Sequence, residues 1–154
     1  MEEKKEMTFD QAREKALRLL EFRSHSEKEL SDKLRRAGAR AADMESLMAY
    51  LREYGLIDDR DYALRMARDL ANLKKFGRYR IQAELKKRGV AAEYIGEALA
   101  QLAEDETGRL LPLVAKKLGG NFEQKNIDRA IRYFSYRGYG FDEIKRCIEQ
   151  LKEE

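Results

Sequence analysis

The chain has 154 residues, with 32 Lys+Arg against 29 Asp+Glu, one His, one Cys, one Pro and no Trp. Its length fits one domain or several small repeats, and its 40% of charged residues stands well above the roughly 25% of an ordinary soluble domain. A single Cys excludes an internal disulfide framework and a single His excludes a Cys/His zinc cluster. No apolar stretch approaches the ~18 residues of a membrane span, and the opening MEEKKEM has no signal-peptide apolar region. With 43% hydrophobic residues, the composition predicts a folded, helical protein of the cytoplasm.

In chain order, a first helix is predicted from a Thr8–Gln11 capping box, with Phe9, Ala12, Ala16, Leu19, Leu20 and Phe22 or Arg23 on one apolar face. A second capping box, Ser26 with Glu29, opens a short helix whose stripe is Leu30 and Leu34, running to Gly38. Met44, Leu47, Met48 and Leu51 carry a third helix to Gly55, a left-handed terminator with Leu56 packing back over it. Asp58 and Asp59 cap the next helix, which is predicted to bury Tyr62, Ala63, Met66, Ala67, Leu70 and Leu73.

The same unit then returns. Gly38, Gly89 and Gly138 are separated by 51 and 49 residues. Four residues before each lies Leu34, Leu85 or Phe134, and eight before lies Leu30, Ile81 or Ala130. Six, ten and thirteen residues after them, apolar residues recur in all three copies, ending with Leu51, Leu102 and Leu151. Twelve before each falls an N-cap residue, Ser26, Gly77 or Asn126. The pattern predicts an all-α chain of three tandem three-helix repeats, residues 1–57, 58–102 and 103–154, forming an elongated, curved array. Pro112 leaves the third lead helix open between a restart near Thr107 and a long helix from about Glu93 kinked at the proline.

No catalytic constellation, cofactor motif or metal site emerges. His25, between Ser24 and Ser26, reads as an exposed residue at a helix start, and Cys147 aligns with Leu47 and Ala98 as a core residue. Asp58, Asp59 and Asp61 lack EF-hand spacing, and Gly119-Gly120 has no following Lys-Ser/Thr pair. Charge is more informative. Residues 1–57 hold twelve basic and twelve acidic residues and residues 103–154 hold ten of each, whereas residues 58–102 hold ten basic and seven acidic. Lys74, Lys75, Arg78, Arg80, Lys86, Lys87 and Arg88 stand against Glu84 alone, with Arg80 and Lys87 on one exposed face and Lys74, Lys75 and Arg78 beside a helix N-terminus. That run suits phosphate backbones or an acidic protein patch; the plain alternative is a solvated surface. Arg129, Arg132, Tyr133, Tyr136, Arg137 and Tyr139 form a second cluster, suited to an interface or to base stacking, the plain alternative being that Tyr133 and Tyr136 line the packing surface of the third repeat.

Three stretches resemble the RecX regulatory proteins of bacteria. They are residues 26–34, the junction Gly55-Leu56-Ile57-Asp58-Asp59 with Tyr62 and Ala63, and Gly77 to Val90 with Ile81, Glu84, Leu85 and Gly89. Arg137-Gly138-Tyr139-Gly140-Phe141 is similar to that family's last repeat. The likeness runs from about Ala16 to Leu151, departing at Pro112 and over residues 1–15. It implies a non-enzymatic modulator lying in the groove of the RecA filament on single-stranded DNA. There such proteins restrain ATP hydrolysis, strand exchange and coprotease activity in DNA repair and the SOS response, and some also touch DNA. The basic run and Arg129, Arg132 and Arg137 are the candidate partner-binding residues, on a chain expected to be monomeric. The alternative is a helical-repeat protein that binds single- or double-stranded DNA without RecA, each middle–last helix pair working like a helix-turn-helix.

Overall fold

A computed structural model describes residues 6–103 and 106–154. Among them are nine helices and no strand: α1 (Phe9–Phe22), α2 (Glu27–Arg36), α3 (Ala41–Glu53), α4 (Asp59–Asn72), α5 (Arg78–Lys87), α6 (Ala92–Ala103), α7 (Glu106–Leu118), α8 (Gln124–Tyr136) and α9 (Phe141–Glu153). Thr8 and Ser26 close both capping boxes, and the Asp58 side chain accepts from the Asp61 amide. Gly38, Gly89 and Gly138 all take positive φ, the left-handed turn that releases the chain from the middle helix of each copy.

Apolar spacing then builds three separate cores. Leu30, Leu34, Leu47 and Leu51 join Ala12 and Ala16 in the first; Ile81 and Leu85 meet Tyr62, Ala63, Ile95 and Ala98 in the second. Leu110, Val114, Phe134, Ile144 and Cys147 fill the third. Every extensively packed helix pair lies within one triplet. The triplets therefore meet only at narrow joints, and the chain is a series of small bundles rather than one globule.

Several side chains differ from expectation. Phe22 is 87% exposed and Leu73 76%, because each sits where its helix ends and the chain turns away from the core. Ile57, rather than Leu56, is the buried residue after Gly55. Asn126 is not an N-cap: α8 begins earlier, at Gln124, and Asn126 donates to the Leu118 and Asn121 carbonyls, tying α8 to the turn that leaves α7. Pro112 lies within α7, a helix beginning at Glu106, close to the restart at Thr107.

His25 is the clearest correction: it is 2% exposed. Its Nδ1 lies 2.9 Å from the Arg23 carbonyl and its Nε2 2.7 Å from the Lys33 ammonium. A carbonyl requires Nδ1–H and an ammonium requires an accepting Nε2, so this geometry defines a neutral ring. Burial pushes its pKa down, and the Arg23 and Lys33 charges add to that against the Arg23 carbonyl and Glu29. His25 precedes the cap Ser26 as Phe76 precedes the cap Gly77. A ring thus precedes the cap in both copies, fully buried at His25 and half-buried at Phe76, a feature that apolar periodicity does not register.

Candidate partner-binding surface

The joints between repeats place the candidate residues. At the first, Ser26 Oγ donates to the Arg88 carbonyl at 2.6 Å, the Glu27 amide donates to Asp59 Oδ1 at 2.9 Å, and Tyr62 Oη donates to Glu29 Oε1 at 2.6 Å. Burial would raise the Glu29 carboxyl, but hydrogen bonds from Tyr62, the Ser26 amide and Arg23 outweigh it and hold the group below its ordinary value. At the second joint the Arg78 amide donates to Glu106 Oε1 at 2.8 Å, while the Gly77 and Tyr79 amides donate to the Arg137 and Gly138 carbonyls at 2.9 and 3.0 Å. The two joints share one design. An acid at the start of the next lead helix, Asp59 or Glu106, satisfies an orphan first-turn amide of the preceding middle helix, α2 or α5. The N-terminus of α5 is therefore already occupied by Glu106, which corrects the expectation that it stands open to an external anion.

The second joint also shapes the basic run. Lys75 has φ 59°, the left-handed region that a side chain disfavours. The turn is held because the Phe76 amide reaches back to the Leu70 carbonyl at 3.0 Å, while Tyr139 Oη donates to the Lys75 carbonyl at 2.9 Å. Arg137 donates to the Lys74 carbonyl next to it. Cations and rings then alternate across the joint. The Arg80 guanidinium lies 5.3 Å from the Tyr136 ring and 4.6 Å from Phe76; Arg137 lies 5.1 Å from Phe76 and 5.5 Å from Tyr133; the Lys117 ammonium lies 4.2 Å from Tyr133. Such contacts contribute about 0.5–2 kcal/mol each.

This geometry divides the ten candidate residues. Arg78 pairs with Glu143 at 3.7 Å, and Arg80 and Arg88 share Glu84 at 3.4 and 3.1 Å. Arg80 is half-buried between two rings, so it does not share an exposed face with Lys87. Arg137 is half-buried and bonded to the Lys74 carbonyl. Lys74, Lys75, Lys86, Lys87, Arg129 and Arg132 are exposed and make no ion pair among the described residues. The lysines flank both ends of α5, and the two arginines lie on α8. Sequence reasoning passed over Lys116 and Lys117, exposed in the last turn of α7. Their signal was an adjacent pair of lysines without a nearby acid, hidden because the third repeat is balanced overall.

Among the described residues no group of three or more His, Cys, Asp or Glu is placed to hold a metal ion. Burial pushes the Cys147 thiol up, away from the reactive thiolate. No helix among the described residues is long and apolar enough to cross a membrane.

Fold and surface together define an all-α tandem-repeat protein, three three-helix units in series with outward-facing cations on the second and third. Residues 12–51 match the profile of the first three-helix domain of RecX, and residues 58–99 that of the second. The regulatory protein RecX of Pelodictyon phaeoclathratiforme is 34% identical over 139 residues, covering 88% of this chain and 86% of the relative. That of Vibrio parahaemolyticus is 32% identical over 150 residues, covering 96% of each. The crystal structure of RecX from Lactobacillus salivarius shares the fold with a TM-score of 0.86 at 21% identity, over 95% of this chain and 97% of that one. The chain belongs to the RecX family of regulatory proteins.

Proposed function

We propose that this protein binds the RecA filament on single-stranded DNA and restrains its ATPase, strand exchange and coprotease activity in DNA repair and the SOS response. It acts as a monomer in the cytoplasm, by occupying the filament groove rather than by catalysing a reaction. Family membership supports the partner, and one surface observation supports the mode. Lys74, Lys75, Lys86 and Lys87 flank the middle helix of the central repeat with no acidic partner. A series of helical bundles presenting unpaired cations along its middle suits a large, negatively charged helical assembly. The test is RecA ATPase on single-stranded DNA together with co-sedimentation. Inhibition that rises with the protein-to-RecA ratio is expected, as is its weakening in the Lys86→Glu/Lys87→Glu variant. No inhibition and no co-sedimentation at any ratio would overturn the proposal. Unchanged inhibition by the variant would remove α5 from the interface.

A second reading, direct DNA binding, draws on Arg129 and Arg132, exposed without ion pairs on α8. It predicts strongly salt-dependent binding to naked DNA in the absence of RecA, weakened when both are changed to Glu.

A further inference from the structure

Between the second and third repeats lies a cleft of about 390 Å³. Its charged wall is Lys75, Lys116, Lys117 and Arg137, and its apolar wall is Leu113 and Phe134 with the ring of Tyr133. No acidic residue lines it. A cleft on the first repeat differs in kind, because Glu6 and Glu14 there stand with Lys15 and Arg18 and balance them. We propose that the cleft between repeats two and three anchors an acidic peptide segment carrying one aliphatic side chain, supplied by a partner protein. This deepens the filament reading by naming the kind of segment gripped, and depends on it only for which partner supplies that segment.

Four like charges around one small cleft repel each other unless an anion joins them. Two are fixed in advance. Arg137 is tied to the Lys74 carbonyl and lies against Phe76 and Tyr133, and Lys117 lies over the Tyr133 ring. The backbone at Lys75 is held left-handed by the Tyr139 hydroxyl. A ligand thus meets two of the four cations already ordered, which favours affinity. The apolar wall separates a peptide from a nucleic-acid strand. A base needs an open ring face to stack on, yet Phe134 is buried and Tyr133 carries Lys117 and Arg137 and packs edge-on to Phe134 at 5.0 Å. What the cleft offers is ammonium and guanidinium donors around space lined by Leu113 and Phe134. Carboxylates flanking a leucine-like side chain complement both walls.

The experiment uses the full chain without RecA. A fluorescein-labelled peptide of aspartates and glutamates around one central leucine is titrated by fluorescence anisotropy, beside the same peptide with serine replacing leucine. The proposal expects saturable binding of the leucine peptide, about tenfold weaker for the serine peptide and about tenfold weaker for Lys116→Glu/Lys117→Glu. Lys75→Gly, which suits the left-handed backbone and removes one cation, is expected to weaken binding severalfold while keeping the fold. Lys86→Glu/Lys87→Glu, outside the cleft, leaves peptide binding unchanged. Equal binding of both peptides, or equal loss in the Lys86/Lys87 variant, would overturn the pocket. So would an oligothymidylate that displaces the peptide and binds more tightly in a Lys116/Lys117-dependent way, since it assigns the cleft to nucleic acid. If the peptide does not bind while RecA ATPase inhibition persists, this proposal falls and the filament reading stands.

Discussion

Replacing Gly77 with alanine tests the second joint by close approach alone. Gly77 has φ −86° and ψ 172°, extended backbone that alanine adopts freely. An added Cβ would lie 2.6 Å from the Gly138 carbonyl carbon and oxygen and 2.7 Å from the Tyr139 nitrogen. All three are backbone atoms, so no side chain can swing aside. Restoring ordinary contact at 3.4 Å requires a retreat of about 0.8 Å, the difference from 2.6 Å. That retreat carries the Gly77–Arg137 and Tyr79–Gly138 hydrogen bonds, now 2.9 and 3.0 Å, past the ~3.5 Å at which such bonds cease to count. Each contributes about 0.5–1.5 kcal/mol, and losing the glycine N-cap adds a further ~0.5–1 kcal/mol. The sum is a loss of about 1.5–4 kcal/mol. Gly55→Ala is the control: at φ 68° with nothing within 4 Å of its added Cβ, it incurs only the left-handed penalty of about 1–2 kcal/mol. Urea denaturation combined with amide hydrogen exchange separates the two. Gly77→Ala should lower stability and speed exchange at the amides of Gly77's replacement and Tyr79, whereas Gly55→Ala leaves those amides protected. An unchanged urea midpoint for Gly77→Ala with both amides still protected would refute the reasoning.

Tyr62→Phe removes the hydroxyl bond to Glu29 and should cost about 1.5–3 kcal/mol, the range for bonds to charged groups; NMR titration should also find the Glu29 carboxyl raised from its wild-type value. Leu85→Ala leaves a cavity at a fully buried position and should cost about 2–5 kcal/mol by urea denaturation. His25 is held below its ordinary 6.5 in the folded chain, so as the pH falls below 6.5 the unfolded chain takes up a proton that the folded chain resists. Stability should therefore decline from pH 7 toward pH 5, down through the lowered folded value, and a series of urea midpoints should show His25→Phe flattening this decline.

The cores were legible because they are local. Leu34, Leu85 and Phe134 precede their glycines by the same four residues, and each meets apolar neighbours within its own triplet. The joints were not legible, because they link groups far apart in sequence through chemistry without an apolar period. Ser26 bonds the Arg88 carbonyl 62 residues on, and Glu106 bonds the Arg78 amide across 28. No hydrophobic pattern marks an amide as lacking a partner. The candidate surface was legible as an excess of charge, but not as its division. Glu84, read as one acid against seven bases, serves both Arg80 and Arg88 because all three fall on neighbouring turns of one helix. His25 escaped for a related reason: polar in composition, it is buried at the position before the cap that half-buried Phe76 takes one repeat later.

Because the first two middle helices are each capped by an acid from the repeat that follows, the chain has a direction. As it leaves the ribosome, α2 lacks its partner until Asp59 emerges, and α5 lacks its partner until Glu106 does. Each of the first two units thus gains one of its caps from its successor. α8, by contrast, begins at Gln124 after the N-cap residue Glu123, which makes no side-chain cap, and no carboxylate from a later element reaches its first turn among the described residues. A repeat that brought its own leading acid and followed α9 would therefore find a free first turn on α8, and the array could be lengthened without redesigning what precedes it.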